Sequence, residues 1–134
     1  MQRQLKQVEQ FNKSFNVVIN EEPTFLDKPT FDLGVRLLKE ELQEYIDAHD
    51  EGDMVEVGDG LVDILFITIG LVVKHGLQDV VVELFDEVFL SNQSKLDSDG
   101  KVIRREDNKI LKGESYFKPA IGKILEKLKK LTST

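Results

Sequence analysis

Apolar positions recur at helical spacing through most of the chain. Leu5, Val8, Phe11 and Phe15 predict a first helix over residues 2–16, and "NEEPTFLDKPT" follows as a loop broken by Pro23 and Pro29. A second helix is expected from about Thr30, read as its N-cap, with Phe31, Val35, Leu38, Leu42 and Tyr45 along one side and "HDEGD" as its end. A third should run from about Asp53 to Lys74 and close at His75-Gly76, where glycine supplies the left-handed residue that stops helices. The fourth is expected from about Gln78 through "VVVELFDEVFLSN". In "KLDSDGKVIRRED" the alternation and the turn pair Asp99-Gly100 predict a short hairpin. A last amphipathic helix, with Pro119 as its first residue, would bury Ile121, Ile124, Leu125 and Leu128. No repeat, heptad array or low-complexity tract interrupts this order. The expected fold is an all-α bundle of four to five helices, with a short irregular or hairpin segment before the last.

Length and composition narrow the class. The 134 residues suit a single domain spanning 1–134. Cysteine is absent, which excludes disulfides, thiolate metal sites and cysteine nucleophiles and fits a reducing, cytoplasmic setting. The N-terminal "MQRQLKQVEQFNKSF" has no apolar core of a signal peptide, and the longest apolar run, "ILFITIGLVV", is too short for a bilayer, so no membrane partner is expected. A net charge of -7 argues against general nucleic-acid binding, which needs clustered Lys and Arg.

The charge is unevenly placed. Residues 40–63, "EELQEYIDAHDEGDMVEVGDGLVD", hold ten carboxylates and no Lys or Arg, whereas residues 95–130 hold eleven Lys or Arg against six acids. On a helix, Glu40 and Glu44 share a stripe flanked by Glu41 and Asp47, and Glu56, Asp59 and Asp63 fall in one narrow arc of the next helix. A short link makes the two helices antiparallel, so the acidic rows can face each other. Carboxylates brought together repel and need a compensating cation. An all-oxygen donor set selects a hard ion, Mg²⁺ or Mn²⁺.

Other metal and phosphate patterns fit less well. A Glu-x-x-His pair fails at both histidines, since Ile46 precedes His49 and Val72 precedes His75 at that spacing. An EF-hand spacing through Asp97, Asp99, Gly100 and Glu106 places Lys95 where the first ligand belongs. No Walker or Rossmann glycine loop occurs.

The residues "EELQE" (Glu40, Glu41, Glu44) followed by acids on the next helix resemble the all-α nucleoside triphosphate pyrophosphohydrolases, which include MazG, dimeric dUTPases and phosphoribosyl-ATP pyrophosphatase. That family's motif is Glu-Glu-x-x-Glu, then Glu-x-x-Asp. The second half is read either as "EVGD", Glu56 with Asp59, or as ending at Asp63 before "ILF", in which register Gly60 stands where the motif has glutamate. Glu56, Asp59 and Asp63 therefore all remain candidates. Downstream, "SNQSKLDSDGKVIRREDNKILKGESYFKP" is similar to a segment of phage and bacterial MazG-like proteins, so the likeness covers most of the chain.

The resemblance implies hydrolysis of a nucleoside triphosphate, a deoxynucleotide or non-standard one, to the monophosphate and pyrophosphate. It implies divalent ions held by Glu41, Glu44 and the second acidic row, and water oriented or deprotonated by Glu40. Lys95, Lys109 and Lys112 become candidate phosphate contacts, Asn92 a contact to phosphate or nucleoside, and Tyr116 a base-stacking candidate. Arg36, one turn before Glu40, is a candidate internal counterion. A symmetric homodimer, or a tetramer formed by pairing two such dimers as in the family, would cover the apolar faces of the third and fourth helices. Two alternatives remain open: phosphoribosyl-ATP hydrolysis, and a non-catalytic module whose acidic face binds a basic partner.

Overall fold

The computed structural model describes residues 1–132, with side chains through Leu128. Among the described residues there are five helices and no strand: α1 (Gln2–Ser14), α2 (Lys28–Glu51), α3 (Met54–Lys74), α4 (Val81–Gln93) and α5 (Ile121–Thr132). The fold class is all-α. Two compact units are formed, Met1–Asp79 and Val80–Thr134.

In the first unit, α2 and α3 form an antiparallel hairpin whose link is almost entirely cap. Gly52, at φ 72°, lets its N–H reach the His49 carbonyl at 3.1 Å and the Asp53 N–H reach that of Ala48 at 2.9 Å. Asp53 then caps α3, its carboxylate accepting the Glu56 N–H at 3.2 Å. At the far end of α3, Gly76 repeats the device at φ 74°, with Gly76 and Leu77 donating to Val73 and Val72. Both helix ends lie where the glycines predicted them.

The loop after α1 is strapped to that same end. Asn20 donates its side-chain amide to the Lys74 carbonyl at 2.6 Å, Thr24 donates its N–H to the His75 carbonyl at 2.9 Å, and the Gln78 amide donates to the Asn20 carbonyl at 2.9 Å. Past this strap α4 begins at Val81, three residues after the expected start. Likewise α2 starts at Lys28 with Asp27 as its N-cap, and Pro29 occupies the first turn. Thr30 is therefore inside the helix and is not its cap. The physical reason is that proline lacks the N–H that a first-turn residue would leave unpaired anyway.

Leu5 and Val8 of α1 are buried, and Val73 of α3 is fully so. Phe11 meets Phe66 edge-on at 5.2 Å and stacks obliquely on Phe15 at 4.5 Å. Beside these rings, Gln4, Gln7, Val8, Val62, Leu65, Phe66 and Ile69 line a groove of about 190 Å³. Among the described residues no helix is long and apolar enough to cross a membrane.

In the second unit, Ser91 of α4 is buried and donates to the Phe117 carbonyl at 2.7 Å, while Glu87 accepts the Ala120 N–H at 2.9 Å. That carboxylate caps α5 from outside, so the helix begins at Ile121 and Pro119 lies before it, a correction to its expected place as first helical residue. Ile124 is buried as expected, with Ile121, Leu125 and Leu128 partly so. Between α4 and α5 the predicted hairpin is displaced. Around Asp99-Gly100 the chain closes a tight loop instead, because the Asp97 carboxylate accepts the N–H groups of Asp99 and Lys101 at 3.0 and 2.7 Å. Pairing comes one turn later, where Arg105 donates to Lys109 and Leu111 to Ile103, both at 2.8 Å, across a reversal containing Asn108 at φ 69°. It amounts to one antiparallel bridge, Arg104 with Ile110.

Candidate active site

The register of α2 on α3 can be read from its contacts. Gly34 lies against Leu71 and Tyr45 against Gly60. Between them, Glu41 lies beside Asp63. One turn forward on α2 thus meets one turn back on α3, as an antiparallel pair requires. The stripe of α2 turned toward α3 is centred on Glu41. Glu40 and Glu44 are exposed, although Glu44 still reaches Glu41 from the next turn.

Glu41, Glu44 and Asp63 are therefore brought together, and the surroundings act on Glu41. Burial, then the Asp63 and Glu44 carboxylates, push its carboxyl up from 4.5 to about 7. Its Oε2 is buried with no hydrogen-bond partner. When all three acids are ionised none can donate, which leaves that oxygen orphaned; a proton on Glu41 lets it donate to Glu44 or Asp63. Among the described residues, no ion pair within 4.0 Å involves these three acids or Arg36, so the expected internal counterion is not engaged.

The remaining acids stand apart from this trio. Glu56 and Asp59 are exposed, and of the second acidic row only Asp63 is drawn inward. Gly60, the position at which the Glu-x-x-Asp register ending at Asp63 would have glutamate, is buried, and a Cβ there would lie 3.3 Å from Tyr45 Cα and Cβ. No longer side chain fits that point without parting the helices. Among the described residues, no group of three or more acids or histidines is arranged so that it could hold a metal ion. The donor chemistry nevertheless suits a hard cation: carboxylate oxygens, one of them buried and without a hydrogen-bond partner.

The residues expected to contact substrate all belong to the second unit. Asn92 is exposed near the end of α4. Lys95 is partly buried, and its carbonyl accepts the Gly113 N–H at 3.1 Å, which ties the two ends of the irregular segment together. Lys109 and Lys112 are exposed, with the Lys112 ammonium 4.7 Å above the Tyr116 ring. Ser94 fastens this segment to α4, donating to the Ser91 carbonyl at 2.6 Å and accepting the Phe117 N–H at 3.1 Å. What sequence reasoning missed is Gly60 as a contact point, since its signal is a neighbour on another helix.

The chain superposes on the crystal structure of a proposed NTP pyrophosphohydrolase from Exiguobacterium sp. 255-15 with a TM-score of 0.51 and 22% identity, covering 97% of this chain and 96% of that one. No curated protein matches the chain. The family model described as phosphoribosyl-ATP pyrophosphohydrolase matches residues 8–92, a span that contains α2, α3 and the acid trio. The chain belongs to that family, within the MazG-like all-α NTP pyrophosphohydrolases, and is a pyrophosphohydrolase.

Proposed function

We propose that the protein hydrolyses a nucleoside triphosphate of the cytoplasmic pool, a deoxynucleotide or non-standard one, between the α- and β-phosphates, with the whole chain acting as one catalytic domain. The observation that carries this is the inward carboxylate of Glu41 held against Glu44 and Asp63 with no basic partner among the described residues. Glu41, Glu44 and Asp63 would hold Mg²⁺ or Mn²⁺, with Glu56 and Asp59 as further candidate ligands. The cation would neutralise charge on the phosphate oxygens and acidify nearby water. Glu40, exposed on the same turn as Glu41, orients the attacking water and takes its proton. The new bond forms from water oxygen to the α-phosphorus, the bond to the bridging oxygen breaks, and pyrophosphate leaves with that oxygen. Asn92, Lys95, Lys109, Lys112 and Tyr116 are proposed as substrate contacts.

The family's description favours one second reading, in which the substrate is phosphoribosyl-ATP. The same reaction at the same bond would serve it. A single screen separates the two: phosphate released from each common ribo- and deoxynucleotide and from phosphoribosyl-ATP, with inorganic pyrophosphatase and Mg²⁺ or Mn²⁺ supplied. Turnover of a nucleoside triphosphate supports the first proposal, and turnover of phosphoribosyl-ATP alone replaces it. Failure on all substrates, or activity kept by Glu41→Gln, refutes the assigned site.

A homodimer or tetramer is also proposed. Support comes from exposed apolar side chains on α3, including Val62 and Leu65, and on α4, including Phe85 and Phe89. A monomer in sedimentation at micromolar concentration would exclude it.

A further inference from the structure

Near the acid trio, α3 meets α2 at a residue with no side chain. A Cβ on Gly60 would lie 3.3 Å from both Cα and Cβ of Tyr45 and 3.4 Å from its N. These atoms belong to or adjoin the backbone, so they cannot rotate away as a flexible side chain does. Gly60 is one turn before Asp63, and Tyr45 is one turn after Glu41 and next to Glu44. The contact therefore acts as a fulcrum beside the carboxylates. A second close contact on the same helix pair differs in kind. A Cβ on Gly34 would meet the Leu71 Cδ2 methyl at 2.7 Å, but a leucine can change rotamer, and Gly34 lies two turns from Glu41. Gly58, near Gly60 on α3, faces open space.

We propose that Gly60 is a positioning residue: by letting α3 rest on the α2 backbone at Tyr45, it sets the separation of Glu41 and Asp63 and hence the size of divalent cation that the trio accepts. This rests on the proposed metal-dependent reading of the site. Adding one methyl must part the helices by a few tenths of an ångström. That is about the difference between Mg²⁺–oxygen distances near 2.0–2.1 Å and Ca²⁺–oxygen distances near 2.3–2.6 Å. A widened gap therefore penalises the small, geometrically strict ion more than the large, tolerant one.

The test is calorimetric titration of Mg²⁺ and of Ca²⁺, without nucleotide, into the full chain and its Gly60→Ala, Gly34→Ala and Gly58→Ala variants. Helical circular dichroism and melting are recorded in parallel. Gly60→Ala should stay folded, lose about tenfold or more in Mg²⁺ affinity, as supporting residues around metal sites do, and lose less for Ca²⁺. The Mg²⁺-to-Ca²⁺ ratio should be unchanged in Gly34→Ala and Gly58→Ala, even where melting shifts. A purely structural role for Gly60 would move melting but not the ratio. An unchanged ratio in folded Gly60→Ala overturns the proposal, as does unfolding of Gly60→Ala both alone and with Gly58→Ala, since the proposal requires a small displacement that the fold survives. If the unaltered protein binds neither ion, the metal reading itself fails; if it binds both and the ratio ignores Gly60, only the positioning role fails.

Discussion

Removing the negative charge of Glu41 should stabilise the cation-free protein, and the gain should depend on pH. Burial and the Asp63 and Glu44 carboxylates raise the folded-state value from 4.5 to about 7. Between those values the folded chain holds a proton that the unfolded chain has released. The stabilisation is therefore fully present below about 4.5, is lost as pH rises, and is gone above about 7. Converting the whole interval gives a ceiling of about 3 kcal/mol. Glu41 is only partly buried, and solvent screens its neighbours, so about 1–2 kcal/mol is the expected size. For a chain of 134 residues this corresponds to about 4–8 °C in melting temperature.

The assay compares wild type with Glu41→Gln in EDTA, by scanning calorimetry from acid to mildly alkaline pH. Glutamine keeps the shape and can donate its amide hydrogens to Glu44 or Asp63. Taking the difference cancels the other carboxylates, which titrate in both proteins. The two should melt together near the acid end, and the variant should melt about 4–8 °C higher at about pH 8. Millimolar Mg²⁺ should then raise the wild type by linkage and leave the variant nearly unmoved. A difference that is flat across pH, or a variant less stable than wild type at the alkaline end, would refute the idea that Glu41 is a frustrated carboxylate.

Other substitutions probe neighbouring features. Asp63→Asn should remove pyrophosphate release and Mg²⁺ binding, whereas Asp59→Asn should lower both several-fold at most, because only Asp63 is turned toward Glu41; equal losses measured by calorimetry and phosphate assay would reverse that ranking. Glu40→Gln should cut kcat by about 10²–10⁴ while leaving Mg²⁺ affinity within about threefold, the split expected of a group that handles the proton. Gly58→Ala should raise stability by about 0.5–1 kcal/mol in urea unfolding, since the added methyl meets nothing and glycine is a poor helix former. Gly76→Ala should cost more than about 2 kcal/mol in the same experiment, because φ is +74° and the methyl would strike the Glu22 backbone.

Local chemistry was legible in the sequence wherever it is sufficient by itself. Gly52 and Gly76 end α2 and α3 because a left-handed residue lets the next two N–H groups turn back on the last carbonyls, and no distant contact is needed. The failures occur where a remote or competing group takes over. Glu87 captures the Ala120 N–H and moves the start of α5, and Asp97 captures two N–H groups and moves the hairpin pairing past Asp99-Gly100. The choice among Glu56, Asp59 and Asp63 is of the same kind. All three share an arc of α3, so periodicity alone treats them alike. What distinguishes them is their height on the antiparallel pair: Gly60 meets Tyr45, so Asp63, one turn later, comes level with Glu41, while Glu56 stands in the first turn of α3 beside the link. Asp63 thus lies beside Glu41, while Glu56 and Asp59 remain exposed. Periodicity marks an acidic row but not its register against the neighbouring helix, and here that register is marked by an uncharged residue, Gly60, whose Cβ would press on the Tyr45 backbone one turn before Asp63.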